Sequence, residues 1–190
     1  HRPTVSKNSA GYALWEVLDT ENGTFNLAKL ICGAQGTLAL MTKAKLGLVR
    51  PKEHRAMLVM FLKDFDILPE LVRRVLKENP ESFESYDDHT FRLAVKLLPQ
   101  ILGEMGLFRA MRLGISFLPE VKLVLSGGIP KLVLMAEFSE DTAEAAVSRA
   151  KEAQVALKDL PVATRIAMDE RAAEKYWIVR RQAFAILRKK

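Results

Sequence analysis

Ala56-Met57-Leu58-Val59-Met60-Phe61-Leu62 is an unbroken apolar run of strand length. What surrounds it decides the fold. Leu68, Leu71, Val72, Val75 and Leu76 recur at helical spacing. Asp66 is the expected N-cap of that helix, and Asn79-Pro80 ends it. Ser82 to Tyr86 reads as a second, weaker strand. A helical section follows. Phe91, Ala94, Val95, Leu98, Ile101 and Leu102 form a stripe that Pro99 is expected to kink. Gly103, Gly106 and Gly114 break the stretch after it, and Ser126-Gly127-Gly128-Ile129-Pro130 is a loop.

Lys131 to Phe138 reads as a third strand. Asp141 and Glu144 then have capping-box-like spacing, with Asp in place of the usual Ser or Thr. Ala143, Ala146, Val147, Ala150, Ala153 and Leu157 make the buried face of the helix that follows. Val162 to Ala167 is a fourth strand, and a last helix runs from about Asp169. The order over 56–167 is β-α-β, a helical insertion, then β-α-β. That is an α+β, ferredoxin-like order, whose usual outcome is a two-layer sandwich.

Residues 1–50 read differently. They are rich in Gly, Asn and Thr and suggest short β-like pieces, with a tight turn at Asn22-Gly23. Leu38 to Val49 reads as a long strand or hairpin edge stopped by Pro51. The expected division is therefore 1–50 and 51–190.

Composition bounds the function. Of 190 residues, 49% are apolar, enough for a sizeable core. No apolar run approaches the roughly 20 residues that span a bilayer. One cysteine, Cys32, excludes an internal disulfide. His1, His54 and His89 lie far apart, so no protein-only zinc site is expected. The net charge of +6 raises nucleic acid as a partner. The basic residues are dispersed, however, except near Arg180, Arg181, Arg188, Lys189 and Lys190. No RNA-binding aromatic motif or zinc-finger spacing accompanies them. The expectation is a solvated surface and no nucleic acid.

Three segments could carry chemistry. Lys7-Asn8-Ser9-Ala10-Gly11-Tyr12-Ala13-Leu14 is one, and Gly33-Ala34-Gln35-Gly36-Thr37-Leu38-Ala39-Leu40 is the second. Paired glycines let backbone approach a ligand, and exposed N–H groups there can face a phosphate, ribose or flavin edge. The same glycines also suit an ordinary structural turn. Tyr176-Trp177-Ile178-Val179-Arg180-Arg181 is the third. On a helix, Ala173, Tyr176, Trp177, Phe184 and Leu187 share a face with Arg180 in its middle, and Arg181 points about 100° away. An arginine on an apolar face must snorkel, form a structural ion pair, or meet a buried anion. A planar guanidinium suits a bidentate carboxylate. Glu84 and Asp87 read as a strand-edge charge and a helix N-cap. His89 reads as a capping or surface residue.

The glycine segments resemble the end of the flavin-binding domain in FAD-linked oxidases of the vanillyl-alcohol-oxidase superfamily. The similarity is to the glycolate oxidase, D-lactate dehydrogenase and D-2-hydroxyglutarate dehydrogenase group. Gly11-Tyr12-Ala13-Leu14 matches a Gly-Tyr-x-Leu segment, and Gly33-Ala34-Gln35-Gly36-Thr37-Leu38-Ala39 matches Gly-Ser-Glu/Gln-Gly-Thr-Leu-Gly. Ala34 departs by lacking a hydroxyl, and Ala39 departs by allowing less close backbone approach. Pro80 to Asp87 sits where the family has an acidic strand, and Trp177-x-x-Arg180 matches a family motif.

The resemblance implies FAD as cofactor, contacted by Gly11, Tyr12, Gly33, Ala34, Gln35, Gly36, Thr37 and Leu40. It implies a small 2-hydroxy acid substrate, of D-lactate, glycolate or 2-hydroxyglutarate type, whose carboxylate meets Arg180. Hydride would pass to the flavin. The catalytic base and electrophile are unassigned. The chain is then expected to be a fragment: the diphosphate-binding loop would precede His1, and a His-x-His metal motif would follow Lys190. Such a fragment alone is expected neither to hold FAD tightly nor to turn over substrate. The electron acceptor stays open between a quinone and an iron–sulfur partner, and self-association into a homo-oligomer stays open too. The expected location is the cytoplasm, at most peripheral to the inner face of a membrane. The alternative is a non-catalytic ferredoxin-like binding or regulatory module.

Overall fold

The computed structural model describes residues 11–92, 111 and 114–187, with only the backbone described at 126 and 182–187. The expected Pro99-kinked stripe, apart from Phe91, lies outside the described residues. So do Lys7 to Ala10, Gly103, Gly106, Arg188, Lys189 and Lys190, and the side chains of Phe184 and Leu187. The elements are β1 (Leu18–Asp19), β2 (Thr24–Phe25), α1 (Leu27–Ile31), β3 (His54–Leu62), α2 (Leu68–Lys77), β4 (Ser82–Asp87), α3 (Leu118–Gly127), β5 (Leu132–Glu140), α4 (Ala143–Val155), β6 (Ala163–Ala167) and α5 (Glu170–Leu187). The chain divides into two compact units, the first ending at Val49 and the second starting at Arg50.

In the second unit four strands form one antiparallel sheet in the order β4-β5-β3-β6. β3 pairs along its whole length with β5, from His54↔Glu140 to Leu62↔Leu132. Its other edge pairs with β6, from Met57↔Ala167 to Phe61↔Ala163. Each β-α-β unit therefore steps over one strand. β3-α2-β4 skips β5, and β5-α4-β6 skips β3. This is the ferredoxin-like pattern, with residues 88–131 inserted between its halves.

The apolar run at 56–62 is explained by its position. Side chains alternate across a strand. Leu58, Met60 and Leu62 face Leu71 and Val75 of α2 and Ala146, Ala150 and Ala153 of α4. Met57, Val59 and Phe61 face Ala173, Tyr176 and Val179 of α5, with Leu123 of α3 packed beside them. Both faces are covered, so this unit has three layers where the element order alone suggests two. The cause is plain: seven consecutive apolar residues cannot leave one face to water.

Two expected caps are corrected. Asp66 does not cap α2. Ile67 occupies that position and Pro69 fills the first turn, where its missing N–H costs nothing. α4 is capped by Thr142, not Asp141, and Thr142 accepts the N–H of Ala145 at 3.2 Å. At α5, Asp169 accepts the N–H of Ala172 at 2.7 Å.

In the first unit β1 and β2 form a two-residue pair around Asn22-Gly23. Gly23 takes φ +61°, and the Asp19 carboxylate accepts the N–H groups of Glu21 and Asn22. Leu38 to Val49 forms no strand. Leu40 and Leu48 are 91% and 92% exposed. Among the described residues, Val17 is the unit's only buried hydrophobic side chain.

Leu58→Ala is expected to cost about 2–5 kcal/mol in denaturant unfolding, because it opens a cavity at the centre of the sheet. Leu125→Ala on α3, where the side chain is 82% exposed, should stay within about 0.5 kcal/mol.

Candidate functional site

The second face of the sheet is apolar at its centre and polar at one end. The polar end lies under α5. Ala173, Tyr176 and Val179, at spacing i, i+3 and i+6, rest on the sheet. Val179 was absent from the expected stripe. Trp177 and Arg180 flank this row, both half-buried.

Arg180 meets an anion supplied by the chain itself. Its Nη2 contacts Oε2 of Glu84 on β4. Glu84 lies on the same sheet face as buried Tyr86, two residues on. The structure thus joins two residues that the sequence leaves separate, and Glu84 does more than mark a strand edge. Arg181 is exposed, and its Nε donates to the Trp177 carbonyl at 3.3 Å. Asp87 caps the helical turn at 88–92 by accepting the N–H of Thr90 at 2.8 Å. Its bonds from Thr90 hold its carboxyl below the usual range. His89 lies at the surface beside Asp88 at 3.1 Å.

One turn before Arg180, Trp177 lines a cleft together with Glu137 of β5. Glu137 is only 8% exposed, and Arg55 of β3 lies 3.5 Å from its Oε1. Burial pushes the Glu137 carboxyl up, while Arg55 and the indole act against that. A cleft of about 320 Å³ opens here, with Arg55, Glu137, Trp177 and Arg181 in its walls. The hydroxyls of Ser82 and Ser139, on the same face, are buried without a hydrogen-bond partner.

A third group was not read from the sequence. Glu120 of α3 is 4% exposed. Its Oε2 accepts Lys175 Nζ at 2.7 Å. Its Oε1 accepts the Tyr176 hydroxyl at 2.5 Å and Arg165 Nη1 of β6 at 3.0 Å. Lys175 also donates to the Ser116 carbonyl at 2.6 Å. Burial lowers the Lys175 ammonium despite Glu120, and burial with Glu120 raises the Tyr176 phenol. One carboxylate therefore ties α3, β6 and α5 together. No local spacing links residues 120, 165 and 175, so no sequence signal pointed to it.

In the first unit the two glycine segments come together. The Tyr12 hydroxyl lies 3.3 Å from Thr37 Oγ1. A Cβ on Gly33 would sit 3.2 Å from the Gly11 carbonyl oxygen, so close backbone approach explains that glycine. Gly36 has φ +79° and faces open space. Ala34 is half-buried, while Gln35 and Leu40 are exposed. Exposed backbone beside an aromatic ring fits one side of a cofactor site. Among the described residues no cluster of His, Cys, Asp or Glu could hold a metal.

Residues 51–190 match the family "FAD linked oxidases, C-terminal domain", and the protein belongs to that family of FAD-using oxidoreductases. Three relatives are D-2-hydroxyglutarate dehydrogenases. That of Haemophilus influenzae is 28% identical over 92 residues, that of Pseudomonas putida 32% over 95, and that of Pantoea ananatis 30% over 93. The matches cover 48%, 50% and 48% of this chain and 9% of each relative. No helix among the described residues is long and apolar enough to cross a membrane.

Glu120→Ala should cost about 3–5 kcal/mol in denaturant unfolding, since it leaves Lys175 as an uncompensated buried charge. Glu137 gives a pH test. A raised carboxyl in the folded state favours folding below the ordinary value of 4.5, and that stability is lost as pH rises through the folded pKa. Glu137→Gln lacks this loss. Its unfolding free energy relative to the parent should therefore grow between about pH 4 and pH 7.

Proposed function

We propose that the chain is part of an FAD-dependent enzyme that oxidises a small 2-hydroxy acid, with Arg180 anchoring the substrate carboxylate. The observation that carries this is the Arg180–Glu84 contact. It presents a half-exposed guanidinium already engaged with a carboxylate at the polar end of the sheet. A substrate carboxylate offers the same chemistry. The guanidinium fork can take it by two parallel hydrogen bonds and so fix the orientation of the adjacent C2. The three relatives' names favour 2-hydroxyglutarate over lactate or glycolate.

The bound flavin supplies the hydride acceptor. In this reading Gly11, Tyr12, Gly33, Ala34, Gln35, Gly36, Thr37 and Leu40 line one side of its site. Among the described residues, exposed Leu40, Leu46 and Leu48 of the first unit support that assignment, because they offer apolar surface for a further group to cover.

Arg180→Ala in the flavoprotein that carries this chain should raise the hydroxy-acid KM by about ten- to a hundredfold, the loss of one charge-assisted hydrogen-bonding partner. Arg180→Lys should recover part of that loss. Unchanged KM and turnover in Arg180→Ala would leave only the structural ion pair with Glu84.

A further inference from the structure

Two carboxylates meet α5, and they differ in how easily they can let go. Glu120 is buried and accepts Lys175, Tyr176 and Arg165, so releasing Lys175 would strand a buried charge. Glu84 lies on β4, at the edge of the sheet, and 31% of its side chain is exposed. Among the described residues its one ion pair is with Arg180. Its backbone is fixed by register with Met135 of β5, so only the side chain has to move for the contact to open. Rotamer changes of exposed side chains take picoseconds to nanoseconds.

A guanidinium has two edges that can grip a carboxylate by paired hydrogen bonds, Nε with Nη2 and Nη1 with Nη2. Arg180 Nε is buried, although 27% of the side chain is exposed. An incoming carboxylate therefore meets the terminal edge, Nη1 with Nη2. Glu84 already sits on Nη2. It occupies the same edge that the proposed substrate carboxylate has to use, and two anions crowded on one cation repel each other.

We propose that Glu84 is an internal competitor for the substrate carboxylate. It holds Arg180 in the empty site, swings away as the hydroxy acid enters, and returns as the 2-oxo acid leaves. This rests on the reading of Arg180 as the carboxylate anchor. The consequence is a uniform loosening. Substrate and product share the carboxylate beside C2, so a competitor for Arg180 weakens both by the same factor, the reciprocal of the fraction of Arg180 that is open. Product leaves more readily, and KM is higher than the anchor alone would set.

The test is steady-state kinetics on the full-length flavoprotein, with 2-hydroxyglutarate as the varied substrate and 2-oxoglutarate as product inhibitor. Glu84→Gln keeps the shape of the side chain and removes its charge. It should lower KM by about three- to tenfold and lower the 2-oxoglutarate inhibition constant by the same factor. Turnover should be no higher than in the parent. Damage to the site raises KM, so the sign of the change separates competition from a structural role. In an Arg180→Ala background, Glu84→Gln should leave KM unchanged, because no guanidinium remains to compete for. The proposal is overturned if Glu84→Gln raises KM or leaves it at the parent value. It is equally overturned if only one of the two constants falls, or if the full decrease persists without Arg180. Failure of the anchor reading looks different: Arg180→Ala alone then leaves KM at the parent value.

Discussion

The pairing of β3 on both edges and its burial on both faces constrain everything else in residues 50–190. A strand with β5 on one side and β6 on the other has no free backbone edge. Apolar side chains on both of its faces require a helical layer above and below. One layer, α2 with α4, meets that demand with aliphatic side chains and the small alanines of α4. The other, α3 with α5, meets it partly with ions. Glu120 gathers Lys175, Tyr176 and Arg165, while Glu84 holds Arg180.

That asymmetry separates stability from function. The α2/α4 side has an aliphatic interior, with its directional bonds, such as Arg74 to Asp159 and Arg149 to Glu140, at its margin. The α5 side is specified by directional bonds. A buried ion cluster of this kind contributes little net stability, because desolvation offsets most of its attraction. Here its consequence is geometric. α5 is held at carboxylates contributed by α3 and β4, and the guanidinium proposed to meet substrate is carried by that helix.

Much of the fold was legible in the sequence. The apolar runs at 56–62 and 131–138 and the period-3.6 patterns at 68–76 and 143–157 each correspond to an element within a few residues. The caps were less legible, since Pro69 and Thr142 compete with nearby aspartates that follow the same rule. Leu38 to Val49 has strand composition, yet pairing needs a partner edge that local sequence does not report. In the site, Arg180 stood out because one helix face shows it among apolar neighbours. Glu84 and Glu137 did not, because an alternating strand says which face a carboxylate is on and nothing about what lies opposite. Glu120 was invisible for the same reason: its partners are far away in the chain and join only in three dimensions.

The most direct measurement is a crystal structure of the full-length flavoprotein with 2-hydroxyglutarate bound. The account predicts the substrate carboxylate within hydrogen-bond distance of the Arg180 guanidinium. A substrate carboxylate bound elsewhere, with Arg180 engaged only by Glu84, would contradict it.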